Sequence, residues 1–155
     1  MELARNLKTD SVSRLQPTEP RKVAPQQTVA EAVALMRKHR VGCLLVCQGE
    51  KLVGIFTERD LLRRVLGSGR PLTAPVSSCM TPDPITVNPK ESISAALRRM
   101  EEGGYRHLPV VDHAGQAVGV LSVKRIVHYL AEHFPDTVYN LPPDPGAVPR
   151  EPEGA

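Results

Sequence analysis

The chain has 155 residues, of which 41% are hydrophobic, and its formal net charge is +3. This length suits one compact domain or two small halves that share a core. The small net charge, the absence of a long run of like charges and an aromatic content of only 3% argue against a nucleic-acid partner.

The first half of the chain predicts a strand, a helix, two further strands and a second helix. After a polar lead-in over residues 1–10, Val23 indicates a brief strand. A capping box at Thr28 and Glu31 opens a helix that ends near residue 39. Apolar runs at 43–47 and 52–56 predict strands, and 58–66 predicts a helix before a linker at 71–75.

The second half repeats this order at a nearly fixed spacing. The offset is 64 positions for Val12 and Val76, Val23 and Val87, and Met36 and Met100, and 65 for Gly54 and Gly119. A unit of about sixty residues buries too little surface to be stable alone, so the copies should pack about a pseudo-twofold axis. The fold class is therefore α/β (α+β), with tandem β-α-β-β-α repeats over residues 11–70 and 76–131.

Residues 132–155 are rich in proline and predict an irregular extension that becomes disordered. Phe134, Val138 and Tyr139 could hold its first part against the body. The three cysteines, Cys43, Cys47 and Cys79, have no zinc or redox spacing, and no segment resembles a signal peptide or a membrane span. We expect a reduced, soluble, cytoplasmic protein.

The motif that recurs in both halves joins a strand to a helix. It reads Gly54-Ile-Phe-Thr-Glu-Arg-Asp60 in the first copy and Gly119-Val-Leu-Ser-Val-Lys-Arg125 in the second. A helix start offers free N–H groups and a positive dipole end, which suit phosphate, and a carboxylate can accept the two hydroxyls of a ribose. Taken alone, the same residues are also typical of an ordinary helix cap.

Two such units resemble a CBS domain pair, also called a Bateman module. The resemblance covers roughly residues 10–130 and rests on the segments 39–46 with 54–60, 105–112 with 119–122, and 80–87. It implies two clefts between the repeats that bind adenosine-containing ligands (AMP, ADP, ATP or S-adenosylmethionine), no required cofactor, and dimerisation into a flat disk. The ligand would regulate an unknown partner protein.

By that resemblance, the first predicted cleft is formed by Ile55, Thr57, Asp60, Ile85, Tyr105, Arg106 and His107. The second predicted cleft is formed by Val41, Gly42, Val120, Ser122, Lys124 and Arg125. In the second cleft, Arg125 occupies the position where the family places the acid that binds ribose. Gly42 occupies the position that is equivalent to Arg106 of the first cleft. We therefore expect one working adenosine site, with the second cleft empty or holding a more anionic ligand.

No nucleophile elbow, phosphate-binding glycine loop or zinc-ligand spacing is present in the sequence, so we predict a protein that is not an enzyme and binds no metal. Two alternatives stay open. One is a ligand-independent homodimeric scaffold whose proline-rich extension contacts a partner. The weaker one is nucleic-acid binding through the paired basic residues of the helices.

Overall fold

The computed structural model of the protein describes residues 2–135, so most of the predicted extension, with Val138 and Tyr139, lies outside the described residues. The helices are α1 (Glu2–Thr9), α2 (Val29–His39), α3 (Glu58–Asp60), α4 (Ile93–Gly103) and α5 (Val123–His133). The strands are β1 (Lys22–Val23), β2 (Cys43–Gln48), β3 (Lys51–Thr57), β4 (Thr81–Pro82), β5 (His107–Val111) and β6 (Ala117–Ser122). Helix α3 continues as a wider π-helical segment, Leu61–Leu66, and 3₁₀ turns lie at Val12–Leu15 and Val76–Ser78.

The two repeats form two sheets of different size. Strands β1 to β4 form one sheet in that order, with β1 parallel to β2, and β5 pairs with β6. The predicted first strand of the second repeat is reduced to one bridge, between Val87 and Val110. In the first repeat the N–H of Leu45 bonds the carbonyl of Arg21. The equivalent of Leu45 is Pro109, which has no N–H to donate, so the ladder is shorter there.

The lead segment of each repeat packs on the other repeat. The N–H of Val12 bonds the carbonyl of Glu91 at 2.8 Å, and that of Val76 bonds the carbonyl of Gln27 at 2.7 Å. Residues 12–15 consequently lie in the core of the second repeat, although the sequence places them in the first repeat. This exchange ties the two repeats together along the chain.

A glycine in each repeated motif allows this exchange. A Cβ on Gly54 would lie 2.3 Å from the sulfur of Met80, just before β4. A Cβ on Gly119 would lie 2.9 Å from Cβ of Pro17, in the lead segment of the first repeat. Both distances are shorter than side chains tolerate, so the recurring glycine is explained by the close approach of the other repeat's lead segment.

Three apolar clusters form the core, one in each repeat and one between them. Met36 and Met100 are buried in the two repeat cores. The cluster between the repeats contains Cys43, Leu45, Cys47, Ile55, Ala117 and Val120. All three cysteines are free and buried, and burial, with a smaller effect of Glu58, raises the pKa of the Cys43 thiol to about 12. Within residues 2–135, no helix has the length and apolarity needed to cross a membrane.

Candidate functional site

A cleft of about 1270 Å³ runs between the two repeats. All seven residues of the first predicted cleft line it, and so do five of the six from the second. The two predicted clefts therefore lie in one continuous groove. Its volume exceeds the roughly 300–1000 Å³ usual for a single small-molecule pocket. The groove has room for a large ligand.

Thr57 and Asp60 form a complete capping box at the end of β3. The hydroxyl of Thr57 accepts a hydrogen bond from the N–H of Asp60 at 3.3 Å. In return, Oδ2 of Asp60 accepts the N–H of Thr57 at 3.0 Å, and the Thr57 hydroxyl lies 3.1 Å from the same oxygen. Both residues thus stabilise the start of α3, which is the structural role that their spacing predicts.

The second oxygen of Asp60 faces the linker between the repeats. Oδ1 accepts a hydrogen bond from the hydroxyl of Thr81 at 3.1 Å and lies 3.5 Å from Nε of Arg64. Arg64 also donates to the carbonyl of Met80 at 2.7 Å. Asp60 is only 5% exposed. Its two carboxylate oxygens contact the N–H and the hydroxyl of Thr57, the hydroxyl of Thr81 and Nε of Arg64, and these four contacts occupy the acceptor positions that a carboxylate offers. A ligand that binds Asp60 must therefore replace Thr81 and Arg64 at Oδ1.

An apolar pair, Ile85 and Tyr105, lies in the same cleft with both side chains exposed. The ring of Tyr105 packs against Gly103, where a Cβ would lie 2.0 Å from the ring. Large apolar side chains exposed inside a cleft are typical of a ligand site, because a bound apolar ring would remove them from water. Ile55, by contrast, is buried in the cluster between the repeats and presents little surface to the cleft.

In each repeat, a backbone bond holds the loop before the second strand beside the start of the last helix. The N–H of Glu58 bonds the carbonyl of Gly42 at 3.1 Å, and the N–H of Val123 bonds that of Arg106 at 3.0 Å. Arg59 donates to the carbonyl of Gly104 at 3.2 Å, which fixes the loop carrying Tyr105 next to α3. Arg106 is exposed and lines the cleft. The loop before β5 and the start of α3 therefore form one side of the site.

His107 lines the cleft beside Gly42, where a Cβ would lie 3.6 Å from Cε1 of its imidazole. Burial lowers the pKa of its imidazole; the nearby charge of Glu58 opposes this effect, and Arg106 adds to it. A Cβ on Gly42 would lie 2.8 Å from a carboxylate oxygen of Glu58. An acid therefore lies against Gly42, in the second predicted cleft, and opposes part of the positive charge that the arginines and Lys124 bring to the groove.

Arg125 does not line the cleft. The Ser122 hydroxyl caps α5 by accepting the N–H of Arg125 at 3.1 Å, and Nε of Arg125 donates to the carbonyl of Gln16 at 2.9 Å. Arg125 thus binds the lead segment of the first repeat, a partner that the sequence gives no reason to expect. Lys124, Val41 and Val120 do line the cleft.

Sequence reasoning missed several residues that the structure brings to the cleft. Thr81 and Arg64 contact Asp60, and Arg37, Arg40 and Arg63 contribute charge. The spacing of four between Asp60 and Arg64 was a readable signal of an ion pair on a helix. No local pattern indicates Thr81, because its contact with Asp60 depends on the packing of the linker. Among the described residues, no cluster of His, Cys, Asp and Glu could hold a metal ion.

A model of the CBS domain family matches residues 12–67 and 76–132. A 17.7 kDa protein of Acidianus ambivalens is 34% identical over 122 residues, which cover 78% of this chain and 73% of that protein. The CBS domain-containing protein YhcV of Bacillus subtilis is 34% identical over 113 residues, covering 73% and 80%. The inosine-5′-monophosphate dehydrogenase of Korarchaeum cryptofilum matches over only 22% of its length, so its activity does not transfer.

Solved structures match over most of the chain. The CBS domain structure NE2398 has a TM-score of 0.72 and 31% identity, and covers 77% of this chain and 96% of that one. The protein PAE2072 from Pyrobaculum aerophilum, complexed with AMP, has a TM-score of 0.71 and 27% identity over 79% and 99%. CBSX2, also in complex with AMP, has a TM-score of 0.68 and 28% identity over 79% and 96%. The chain is a member of the CBS domain family and contains two CBS repeats.

Proposed function

We propose that the protein is a non-catalytic regulatory module that binds one adenosine-containing ligand per chain at Thr57 and Asp60. The observation that carries the proposal is a buried carboxylate, Asp60, that shares a cleft with the exposed apolar pair Ile85 and Tyr105. This combination suits a ribose joined to an aromatic base. The AMP complexes of PAE2072 and CBSX2, at 27% and 28% identity, support the ligand class.

In the proposed complex, the ribose hydroxyls donate to Oδ1 of Asp60 in place of Thr81 and Arg64. Oδ2 keeps its bond to the N–H of Thr57, so the helix cap survives. The adenine lies against Ile85 and Tyr105, and the 5′ group lies toward Arg106 and His107. The exchange replaces one set of hydrogen bonds by another, so the buried charge of Asp60 stays compensated.

The chosen test is a calorimetric titration of AMP, ADP, ATP and S-adenosylmethionine into the wild type and into Asp60→Asn. Asp83→Asn is the matched control, because Asp83 also lines the cleft and its left-handed backbone (φ 45) tolerates asparagine. The expected result is one site per chain, weakened about tenfold or more in Asp60→Asn and not weakened in Asp83→Asn. Equal affinity in Asp60→Asn and wild type would refute the site, and no binding by any compound would refute the function.

We further propose that the module acts as a homodimer. Helix α3 and its continuation expose Leu62 and Leu66, and α5 exposes Val127, which lies 65 positions after Leu62, the same offset as between the two motifs. Two equivalent apolar stripes related by a pseudo-twofold axis are self-complementary when a second copy is rotated onto them. A ligand-free homodimeric scaffold shares this feature and differs from the sensor only in the calorimetric result.

Ligand binding regulates a partner only if the ligand has different affinities for two arrangements of the module. The contact of Asp60 with Thr81 supplies such a difference, because in the proposed complex the ribose displaces the hydroxyl that joins β4 to Asp60. The regulated protein is proposed to sense the position of β4 or the dimer geometry. The three buried free thiols fit a reducing compartment, and we propose the cytoplasm.

A further inference from the structure

The proposed function does not distinguish among the adenosine-containing compounds. The charge of the cleft favours some of them over others. Of the residues that line it, eight are arginine or lysine and only four are aspartate or glutamate. The chain as a whole carries 20 basic and 17 acidic residues. The excess of positive charge is therefore concentrated at the cleft.

Pairing within the cleft increases this imbalance. Arg21 pairs with Glu19 at 3.7 Å, and Arg64 with Asp60 at 3.5 Å. Arg59 is bonded to the carbonyl of Gly104. Within residues 2–135, five cationic side chains of the lining have neither an acidic partner nor a hydrogen bond: Arg37, Arg40, Arg63, Arg106 and Lys124. Among the acids of the lining, Glu58 and Asp83 have no ion pair with any residue that the structure describes.

We infer that the cleft selects phosphorylated adenosine, with affinity rising from AMP to ADP to ATP, and rejects S-adenosylmethionine. This inference rests on the proposed function and names the ligand class of the same site. AMP carries about two negative charges because the second ionisation of a phosphate lies near pH 6, and each added phosphate adds roughly one more. S-adenosylmethionine carries a net positive charge from its sulfonium, and 5′-methylthioadenosine is uncharged.

Two arginines of α2 are the proposed selectivity residues. Arg37 and Arg40 lie in the last turn of α2 and at its C-cap, directly before Val41 and Gly42, whose segment is bonded to the start of α3. Both are exposed and line the cleft. Neither belongs to the repeated motif, since the equivalent positions in the second repeat are Glu101 and Gly104. Their positive charge is therefore a feature of one side of the cleft.

The volume and the lining of the cleft support the same ligand class. At about 1270 Å³ it continues from Ile85 and Tyr105 to Lys124 in the other half. An adenosine placed on Ile85 and Asp60 leaves the remainder of the groove, with its unpaired cations, for a phosphate chain. A single phosphate would reach few of these cations, and a chain of three would reach more of them.

The test compares five compounds that share adenosine: ATP, ADP, AMP, 5′-methylthioadenosine and S-adenosylmethionine. Calorimetry without added magnesium keeps the full phosphate charge. We expect ATP to bind at least about tenfold more tightly than uncharged 5′-methylthioadenosine, and its advantage to shrink as salt is raised. S-adenosylmethionine or 5′-methylthioadenosine binding as tightly as ATP would overturn the inference, while binding lost in Asp60→Asn would still uphold the proposed function.

A pair of charge reversals on one helix supplies the control. Arg37→Glu and Lys38→Glu change the net charge equally, but Lys38 does not line the cleft. We expect Arg37→Glu to weaken ATP about five- to tenfold without weakening 5′-methylthioadenosine, and Lys38→Glu to change ATP binding less than about twofold. Equal effects of the two substitutions on ATP would overturn the role of Arg37. Failure of all five compounds to bind would instead refute the proposed function itself.

Discussion

The hydroxyl of Thr81 donates a hydrogen bond to the carboxylate of Asp60, at 3.1 Å across the boundary between the two repeats. Thr81 belongs to β4, which precedes the second repeat and pairs with β3 of the first. Asp60 belongs to α3 and is the proposed ribose acceptor. Oδ1 of Asp60 thus holds the linker. The proposed ribose contact would use the same oxygen, so we expect ligand binding and linker attachment to compete.

Removing the Thr81 hydroxyl should strengthen ligand binding while weakening the fold. Thr81→Val keeps the shape of the side chain but frees Oδ1 of Asp60 from one competitor. We expect adenine-nucleotide affinity to rise about threefold to fivefold and the free energy of unfolding to fall by about 1 kcal/mol. Calorimetry and urea denaturation measure the two effects, with Thr73→Val in the exposed linker as the control. Weaker nucleotide binding in Thr81→Val would show that Thr81 holds the ligand instead.

Because Met80 packs closely on Gly54, a substitution of Gly54 should destabilise the fold, and a second substitution at Met80 should restore part of the lost stability. Gly54→Ala places a Cβ 2.3 Å from the sulfur of Met80, so the Met80 side chain must move from its packed position. We expect the free energy of unfolding to fall by about 1–3 kcal/mol. Met80→Ala removes the clashing atoms, so the double variant should be more stable than the sum of the two single effects predicts. Strict additivity in that cycle would contradict the packing explanation.

The half-buried imidazole of His107 predicts a loss of stability on mild acidification. Burial lowers the pKa of His107 in the folded protein below its usual value of 6.5. Between pH 6.5 and the lower pKa of folded His107, the unfolded chain binds a proton that the folded protein does not bind. The free energy of unfolding therefore falls as the pH is lowered through this range. His107→Gln should flatten this part of the stability curve measured by denaturation between pH 7 and 5. An unchanged curve would assign the acid sensitivity to other groups.

The same histidine reports on the position of the phosphates. If the 5′ group of the ligand lies near His107, its negative charge favours the imidazolium, so saturating ATP should raise the pKa of His107. An NMR titration of the imidazole with and without ATP measures this shift. The ring of His113, in the turn after β5, is the internal control. No movement of the His107 titration in saturated protein would place the phosphates elsewhere in the cleft.

A charge on the exposed apolar stripes should prevent dimerisation. Leu62 is 64% exposed and Val127 is 58% exposed in the described single chain. In the proposed homodimer a buried glutamate there would lack a partner, so Leu62→Glu and Val127→Glu should sediment as monomers. Leu72→Glu, which changes an exposed leucine of the linker, is the control and should leave the dimer intact. Sedimentation of the wild type as a monomer would contradict the assembly.

Most of the helices and strands could be predicted from the sequence, because the residue patterns that specify them are local. The motif of glycine, apolar residues and a hydroxyl predicted both strand-to-helix junctions, and the hydroxyls of Thr57 and Ser122 do cap α3 and α5. The Thr28 hydroxyl caps α2 as predicted, at 3.1 Å from the N–H of Glu31. The carboxylate of Glu31 does not return the bond but contacts the side-chain amide of Gln27. A local pattern therefore located the cap without determining both of its bonds.

The remainder depended on contacts between distant parts of the chain. The exchange of lead segments places Val12 in the second repeat's core, and no local feature of residues 12–15 indicates this. Likewise, Arg125 follows the motif spacing but turns to the carbonyl of Gln16, which only the folded lead segment brings near. The single bridge at Val87 was predictable in principle, since Pro109 visibly lacks the N–H that Leu45 uses.

The most direct test of the central claim is a crystal structure of the protein grown with saturating ATP. The account predicts ribose hydroxyls within hydrogen-bonding distance of Asp60, adenine against Ile85 and Tyr105, and the Thr81 hydroxyl released from Oδ1. A nucleotide bound elsewhere, or a cleft without nucleotide in which Asp60 still holds Thr81, would contradict it.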